Sequence, residues 1–507
     1  MQNLPKHEKY KVAYCPGEIY WGIGVEHESY IETAKKRIVT KEQLKTLKAR
    51  ERYSVDYYKS YKPTGLADVF EMLPSEMEIP FLMNAHTFQA TDLSNNHRTT
   101  YEKVPKPNPK FSGQTIIEFL KSPECPSSDY FNREWEGAYI FDGDTVELIS
   151  QKFYKVTIDD VIEELEAAEK EFIDELNRGA TRGLLAEYGP FSFTKENYGW
   201  ATYLTNPRNI SMFNNGTIHI NVTLPTRLNE NGKIANMDLF VDKHRTLIRV
   251  LQWLSPLIIA IYGSGDPFAE YSPRFAKGSQ RVAVSRYIGL GTYDTDIMPV
   301  GKYPTVKRGE LSNIEWYNDL YKETEYVCLE DIGLDFNFNK HYSHGAEMRI
   351  FDAIPLRDVY NVLEDIIYCM DFSLSIGTMM NPKKSSLWQG IVKKCIHYGR
   401  DAMLTPDEQV RLFWMFGMND KPEIDISVVE TYRRIIGHLK VKFDRGFCVT
   451  NMIRSKKEKM LDDVYDEVIG EIIEDLVNEE VEKRKEEGRR VVEEVTVIKG
   501  KNWWKCC

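Results

Sequence analysis

Four short segments alternate apolar residues with acidic, imidazole, amide or guanidinium groups, and this alternation constrains the fold more than any other feature of the chain. Residues 20–32 (YWGIGVEHESYIE) put Ile23 and Val25 on one side and Gly24, Glu26 and Glu28 on the other. Residues 145–150 carry Glu147, and residues 216–224 (GTIHINVTL) set His219 and Asn221 against Ile218, Ile220 and Val222. Residues 346–351 (AEMRIF) carry Glu347 and Arg349. A strand sends residues i and i+2 to one face, so each polar pair shares a side while its neighbours pack behind it. One such pair alone reads equally well as the wet face of a half-exposed antiparallel strand. Four of them converging in one concave sheet would form a cage of carboxylates around an imidazole, which is costly to desolvate without cations inside. Hard oxygen donors joined by a neutral imidazole nitrogen suit Mg²⁺ or Mn²⁺.

The segments between these strands read mostly as helices. Thr40-x-x-Gln43 is a capping-box pattern that predicts a solvated helix over 40–62, and residues 93–114 gather the Asn, Pro, Ser and Gly of a long loop. Asp142-Gly143-Asp144 predicts a tight turn. A helix should open at Thr157 and stop at Gly179, with Val161, Leu165, Ala168, Phe172 and Leu176 on its apolar face. An apolar helix follows over about 242–261, then a strand over Val282 to Ile288 inside a Gly-, Ser- and Arg-rich stretch. From Leu356 onward the chain is helical, with Thr405-Pro406-Asp407-Glu408 as a helix start and a highly charged helix over Lys457 to Glu487.

Composition removes several function classes. With 42% hydrophobic and 28% charged residues the chain has a core to bury, and 77 acidic against 66 basic residues give a net charge of -11, which argues against a nucleic-acid partner. The eight cysteines show no CxxC pairing, so disulfides are not expected and a reducing, cytoplasmic setting is. The most apolar stretch, Val250 to Tyr262, is too short to span a bilayer and contains Pro256. Cys506 and Cys507 resemble the double-cysteine ends that receive prenyl groups on some small GTPases, a signal of little information by itself. No GKS or GKT follows GLGTYD, and no G-x-S-x-G elbow exists, so neither a P-loop nor a serine-hydrolase site is expected.

GVEHE at 24–28, VELIS at 146–150, HINV at 219–222 and EMRIFD at 347–352 occur in an order that resembles the carboxylate-amine ligase superfamily. This superfamily includes glutamate-cysteine ligases and amidoligases and is related to glutamine synthetase; the resemblance spans roughly residues 20–400. It implies an α+β fold with a curved antiparallel sheet, ATP and Mg²⁺ (or Mn²⁺) on the concave face, and helices on the convex face. It implies Glu26, Glu28, Glu147 and Glu347 as metal ligands, His219 as a metal or ATP-phosphate contact, and Arg349 as a phosphate or acyl-phosphate contact. Where the family has a second His in the third motif, this chain has Asn221, which still offers an oxygen or an amide donor.

Residues 272–296 add Arg274, Lys277, Arg281 and Arg286 beside Gly278, Gly289 and Gly291. Guanidinium forks bind phosphate and carboxylate bidentately, so this cluster is what phosphoryl transfer needs, with Arg281 and Arg286 the stronger candidates and Lys277 a further nucleotide contact. The expected organisation is a catalytic unit over 1–400, with an inserted helix and loop region near 33–140, and a helical region over 401–507. The expected reaction joins a carboxylate to an amine through an acyl phosphate, with glutamate and cysteine as the first substrates. Two alternatives stand beside it: an amidoligase acting on a peptide or protein carboxylate, and a non-catalytic scaffold, which Asn221 favours. A homo-oligomer is compatible with all three.

Overall fold

The core-facing residues of the first alternating segment, Ile23 and Val25, are fully buried, and their strand becomes the middle of a sheet. The computed structural model describes residues 19–46, 61–88, 114–133, 138–142, 145–150, 158–205, 210–212, 216–227, 229–230, 234–285, 294–296, 306–307, 321–326, 331–332 and 345–443. Its strands are β1 (Ile19–Ser29), β2 (Ile31–Thr40), β3 (Glu76–Met83), β4 (Tyr139–Asp142), β5 (Thr145–Ile149), β6 (Phe191–Phe193), β7 (Trp200–Tyr203), β8 (Ser211–Met212) and β9 (Thr217–Arg227). A two-residue pair, β10 (Val306–Lys307) and β11 (Asp331–Ile332), precedes β12 (Ala346–Asp352). The fold is mixed α+β, with one five-stranded antiparallel sheet in the order β12-β9-β1-β5-β4 and a second, mixed sheet in the order β6-β2-β3-β7-β8.

Where one strand is expected over 20–32, the chain forms two. Tyr30 separates them because its ring packs with Leu82, Ala201 and Tyr203, which belong to the second sheet. Crossing from one sheet to the other at Tyr30 ties the two together. Asp142 pairs with Thr145, as the Asp-Gly-Asp sequence predicts for a hairpin, though residues 143–144 themselves lie outside the described residues.

Three long helices back the five-stranded sheet and each other. In the helix Ile158–Gly179 all five residues of the predicted apolar face are buried. The helix Met237–Tyr262 runs without a break through Pro256, which lacks the N–H that would bond the carbonyl of Gln252. The indole N–H of Trp388 donates to that carbonyl at 2.8 Å, so a residue from another helix satisfies the acceptor that proline strands. Leu356–Ser375 completes the layer, and Val428–Phe443 is fastened to it where Tyr432 Oη donates to Asp365 Oδ2 at 2.7 Å.

Two expected elements differ. The capping box of Thr40 and Gln43 is present, with both reciprocal hydrogen bonds, but the described helix is only Lys41–Thr46 and residues 47–60 lie outside the described residues. Of the strand expected over Val282 to Ile288, residues 282–285 instead belong to the helix Gln280–Ser285, and residues 286–288 lie outside the described residues. Its branched side chains favour a strand, but Ser279 Oγ accepts from Val282 N at 3.1 Å and Asp352 Oδ1 from Arg281 N at 3.0 Å, which fixes a helical start. The helix start at Thr405 has its capping box. Most of the loop expected over 93–114, the helix expected over 457–487 and Cys506-Cys507 lie outside the described residues. Among the described residues no helix is long and apolar enough to cross a membrane.

Asp266 is buried and accepts from Tyr61 Oη at 2.9 Å, Tyr326 Oη at 2.8 Å and Phe268 N at 2.9 Å. Burial outweighs these donors and pushes its carboxyl up to about 6. An acid whose folded value is raised binds more protons when native, so stability falls as pH rises from about 4 to about 6, by about 3 kcal/mol in all. Asp266→Asn should remove that slope. Urea midpoints of both proteins across this range check it, and parallel curves would mean the burial of Asp266 carries no such cost.

Candidate functional site

The pairing register assembles the polar faces. Glu26 lies opposite His219, Glu28 opposite both Thr217 and Glu147, and Asn221 between Gly24 and Glu347. All four alternating segments are therefore adjacent strands, and Glu26, Glu28, Glu147, His219, Asn221 and Glu347 share one face. Gly216, at φ +53°, leads into β9 against this row, where a Cβ would stand 2.1 Å from the carbonyl oxygen of Glu28. On β12, Met348 pairs with Ile220 and Phe351 with Ile218, so Arg349 and Ile350 together oppose His219. That bulge turns Arg349 back toward the imidazole.

His219 is the hub. Its Nδ1 lies 3.3 Å from Glu26 Oε2, 3.5 Å from Glu28 Oε1, 3.5 Å from Glu347 Oε1 and 3.2 Å from Arg349 Nη1. Arg349 Nη1 also donates to Glu347 Oε1 at 2.7 Å, and Asn221 Nδ2 to Glu26 Oε1 at 3.4 Å. Burial first, then the charge of Arg349, hold the imidazole well below its ordinary value against the opposing pull of Glu28 and Glu347, so it is neutral. Thr217 Oγ1 donates to Glu28 Oε2 at 3.0 Å and lies 3.1 Å from His219 Nε2. With its proton committed to Glu28, Thr217 accepts from Nε2–H, and the lone pair of His219 is left on Nδ1, facing the carboxylates.

Arg281 reaches this cluster from the helix Gln280–Ser285. Its Nε donates to the carbonyl of Arg349 at 3.0 Å and its Nη2 stands 3.5 Å from His219 Nε2. Lys277 does not join these hydrogen bonds; its ammonium ends on Asp401 Oδ2 at 2.9 Å. Arg274 pairs with Glu325 at 3.0 Å, and Arg286 lies outside the described residues. Three supporting residues escape a reading of the sequence. Thr217 sets the tautomer of His219, Asp352 holds the backbone of Arg281, and Ser279 donates to Asp352 Oδ2 at 2.6 Å. Asp352 closes the EMRIFD segment in phase with Arg349 only because of the bulge, so simple alternation gives it no place.

Glu26, His219 and Glu347, all buried, each offer a ligand atom within 4.8 Å of the others. An octahedral Mg²⁺ at about 2.1 Å from its ligands separates neighbouring donors by about 3 Å, so the spacing around Nδ1 needs only a slight contraction. Glu26, Glu28, Glu147, Glu347 and the buried Asp352 set five carboxylates against the two guanidiniums of Arg281 and Arg349, a negative excess that a divalent cation would reduce. The donor set therefore fits such an ion.

Fold and site together define an α+β protein with a buried carboxylate, imidazole and guanidinium cluster on the face of an antiparallel sheet. The chain belongs to the family of uncharacterized protein R704 of Acanthamoeba polyphaga mimivirus, with which it is 36% identical over 453 residues, covering 88% of this chain and 79% of that protein. No family model matches the chain.

Proposed function

We propose that the protein is an ATP-dependent carboxylate-amine ligase, closest in chemistry to glutamate-cysteine ligase, and that its five-stranded sheet is the curved sheet of the glutamine-synthetase type. The observation that carries this reading is the convergence of Glu26, Glu28, Glu147, His219, Glu347, Arg281 and Arg349 on adjacent strands and one helix. A carboxylate oxygen of the first substrate attacks the γ-phosphorus of ATP, the bond to the bridging oxygen breaks, and ADP leaves. The amine nitrogen of the second substrate then attacks the acyl carbon, phosphate leaves with the bonding pair, and the amide remains after loss of a proton. No protein nucleophile takes part, so the side chains act by positioning and by neutralising charge. Arg281 and Arg349 face the transferring phosphoryl group, and Asn221 offers its amide to substrate or nucleotide. Mg²⁺ or Mn²⁺, held by the four glutamates and His219, would supply neutralisation of the triphosphate.

The reaction is tested by trapping. With Mg-ATP, L-glutamate and hydroxylamine, a γ-glutamyl hydroxamate should form, and with L-cysteine in place of hydroxylamine, γ-glutamylcysteine. Hydroxamate without the dipeptide points to another amine, and success only with a peptide carboxylate points to an amidoligase. If no carboxylate stimulates ADP release and no hydroxamate forms, the scaffold reading replaces the ligase.

The metal set has its own test. Glu347→Gln keeps the shape of the side chain and removes one charge, so calorimetric titration of Mg-ATP should show affinity at least about tenfold weaker, one lost charge-assisted ligand. Equal affinity in both proteins would remove Glu347 from the metal set.

A further inference from the structure

His27 stands between Glu26 and Glu28 on β1 and so points to the opposite, helix-covered face of the sheet. It is 7% exposed, and its Nδ1 lies 2.6 Å from Glu169 Oε1 on the helix Ile158–Gly179. Its Nε2 has no hydrogen-bond partner among the described residues. The ring lines an open cleft of about 580 Å³ between that helix, β6 and the turn from β12 into the helix Leu356–Ser375. A buried imidazole clamped at one nitrogen and open to a cleft at the other is a poised hydrogen-bonding group that the ligase reading does not use.

The cleft has two chemical parts. Ile173, Phe193, Ile354, Pro355 and Leu356 supply an apolar wall, whereas Glu166 and Lys195 stand at the rim with no ion pair among the described residues. Lys170, beside them, is engaged by Asp174. One anionic and one cationic group at the mouth, over an apolar wall, match a zwitterion with an apolar body. We propose that this cleft is a second small-molecule site, taking a free apolar α-amino acid. The ammonium lies between Glu166 and His27 Nε2, the carboxylate meets Lys195, and the side chain rests on the apolar wall. The site is built on the reverse of the strands that carry the cluster: β1 presents His27 on one face and Glu26 and Glu28 on the other, and residues 353–356 follow Asp352 directly.

The test is calorimetric titration of L-leucine and L-phenylalanine into the full-length protein, with isoamylamine and isocaproate as probes that each lack one charge. Saturable binding of an amino acid is expected, weakened about tenfold or more in Lys195→Glu and for either single-charge probe, the loss of one charge-assisted contact. Lys195 is exposed, so this variant should fold; His27→Phe should weaken binding likewise if its thermal transition shows that it is folded. Glu347→Gln, on the other face, should leave the amino-acid affinity as it is. No saturable binding by either amino acid overturns the proposal. So does undiminished affinity in Lys195→Glu, or binding lost in Glu347→Gln and kept in Lys195→Glu, which would move the amino acid to the carboxylate cluster.

Discussion

Arg281→Lys should lower the rate of carboxylate-stimulated ADP release by about 10²-fold to 10³-fold although the charge is kept. Arg281 is buried, with Nε on the carbonyl of Arg349 and Nη2 beside His219, so one planar group both ties its helix to β12 and presents charge at the cluster. An ammonium is a point donor on a flexible stem and cannot keep the strand carbonyl while reaching the same place. The loss should fall on kcat, since the fork is needed most where charge spreads over the phosphoryl oxygens. Steady-state kinetics with Mg-ATP and the carboxylate that trapping identifies would measure it, with the thermal transition of the variant as a check that it is folded. An unmodified kcat in a folded Lys variant removes Arg281 from the reaction.

The strands and their polar faces were legible because period-two alternation is a local property: Glu26 and Glu28, or Glu347 and Arg349, declare their shared side within a few residues. Which strand lies beside which was not legible in that way. Glu26 and His219 meet although 193 residues separate them, and the register that places them opposite is set by pairing along the whole of β1 and β9. The helix Gln280–Ser285, where a strand is expected from Val282, has the same origin. Val282 and Val284 favour a strand locally, but at the start of the helix Arg281 N donates to Asp352, 71 residues away, and Val282 N to the nearby Ser279 Oγ. Tyr30 likewise looks like one more alternating residue until the second sheet takes its ring. Local chemistry announced the candidate ligands, then, while the groups that aim them, Thr217 and Asp352, act through distant partners or a bulge that no sequence period reveals.

Asp352→Ala tests that division of labour, because Asp352 touches nothing that the proposed reaction consumes and yet fixes Arg281. Its side chain is fully buried and accepts from Arg281 N at 3.0 Å, Ser279 Oγ at 2.6 Å and Ser264 N at 3.3 Å. Removing it strands three donors away from water, each at about 1–3 kcal/mol, so a total of roughly 3–9 kcal/mol is expected, a large share of the roughly 5–15 kcal/mol that keeps a domain folded. Asp352→Asn is the informative companion. Its carbonyl oxygen can still accept from Arg281 N, and its amide can donate to Ser279 Oγ, so only Ser264 N is left alone and the loss should be about 1–3 kcal/mol. Urea midpoints of the three proteins at constant m value give both differences. In the range where Asp352→Asn is folded, its kcat should sit between the unmodified protein and Arg281→Lys, since the helix start is held but less firmly. Equal midpoints for all three would show that the cap contributes nothing. A folded Asp352→Ala with unchanged kcat would show that Arg281 reaches His219 without it, and the placement of that guanidinium would then rest on its own bond to the carbonyl of Arg349.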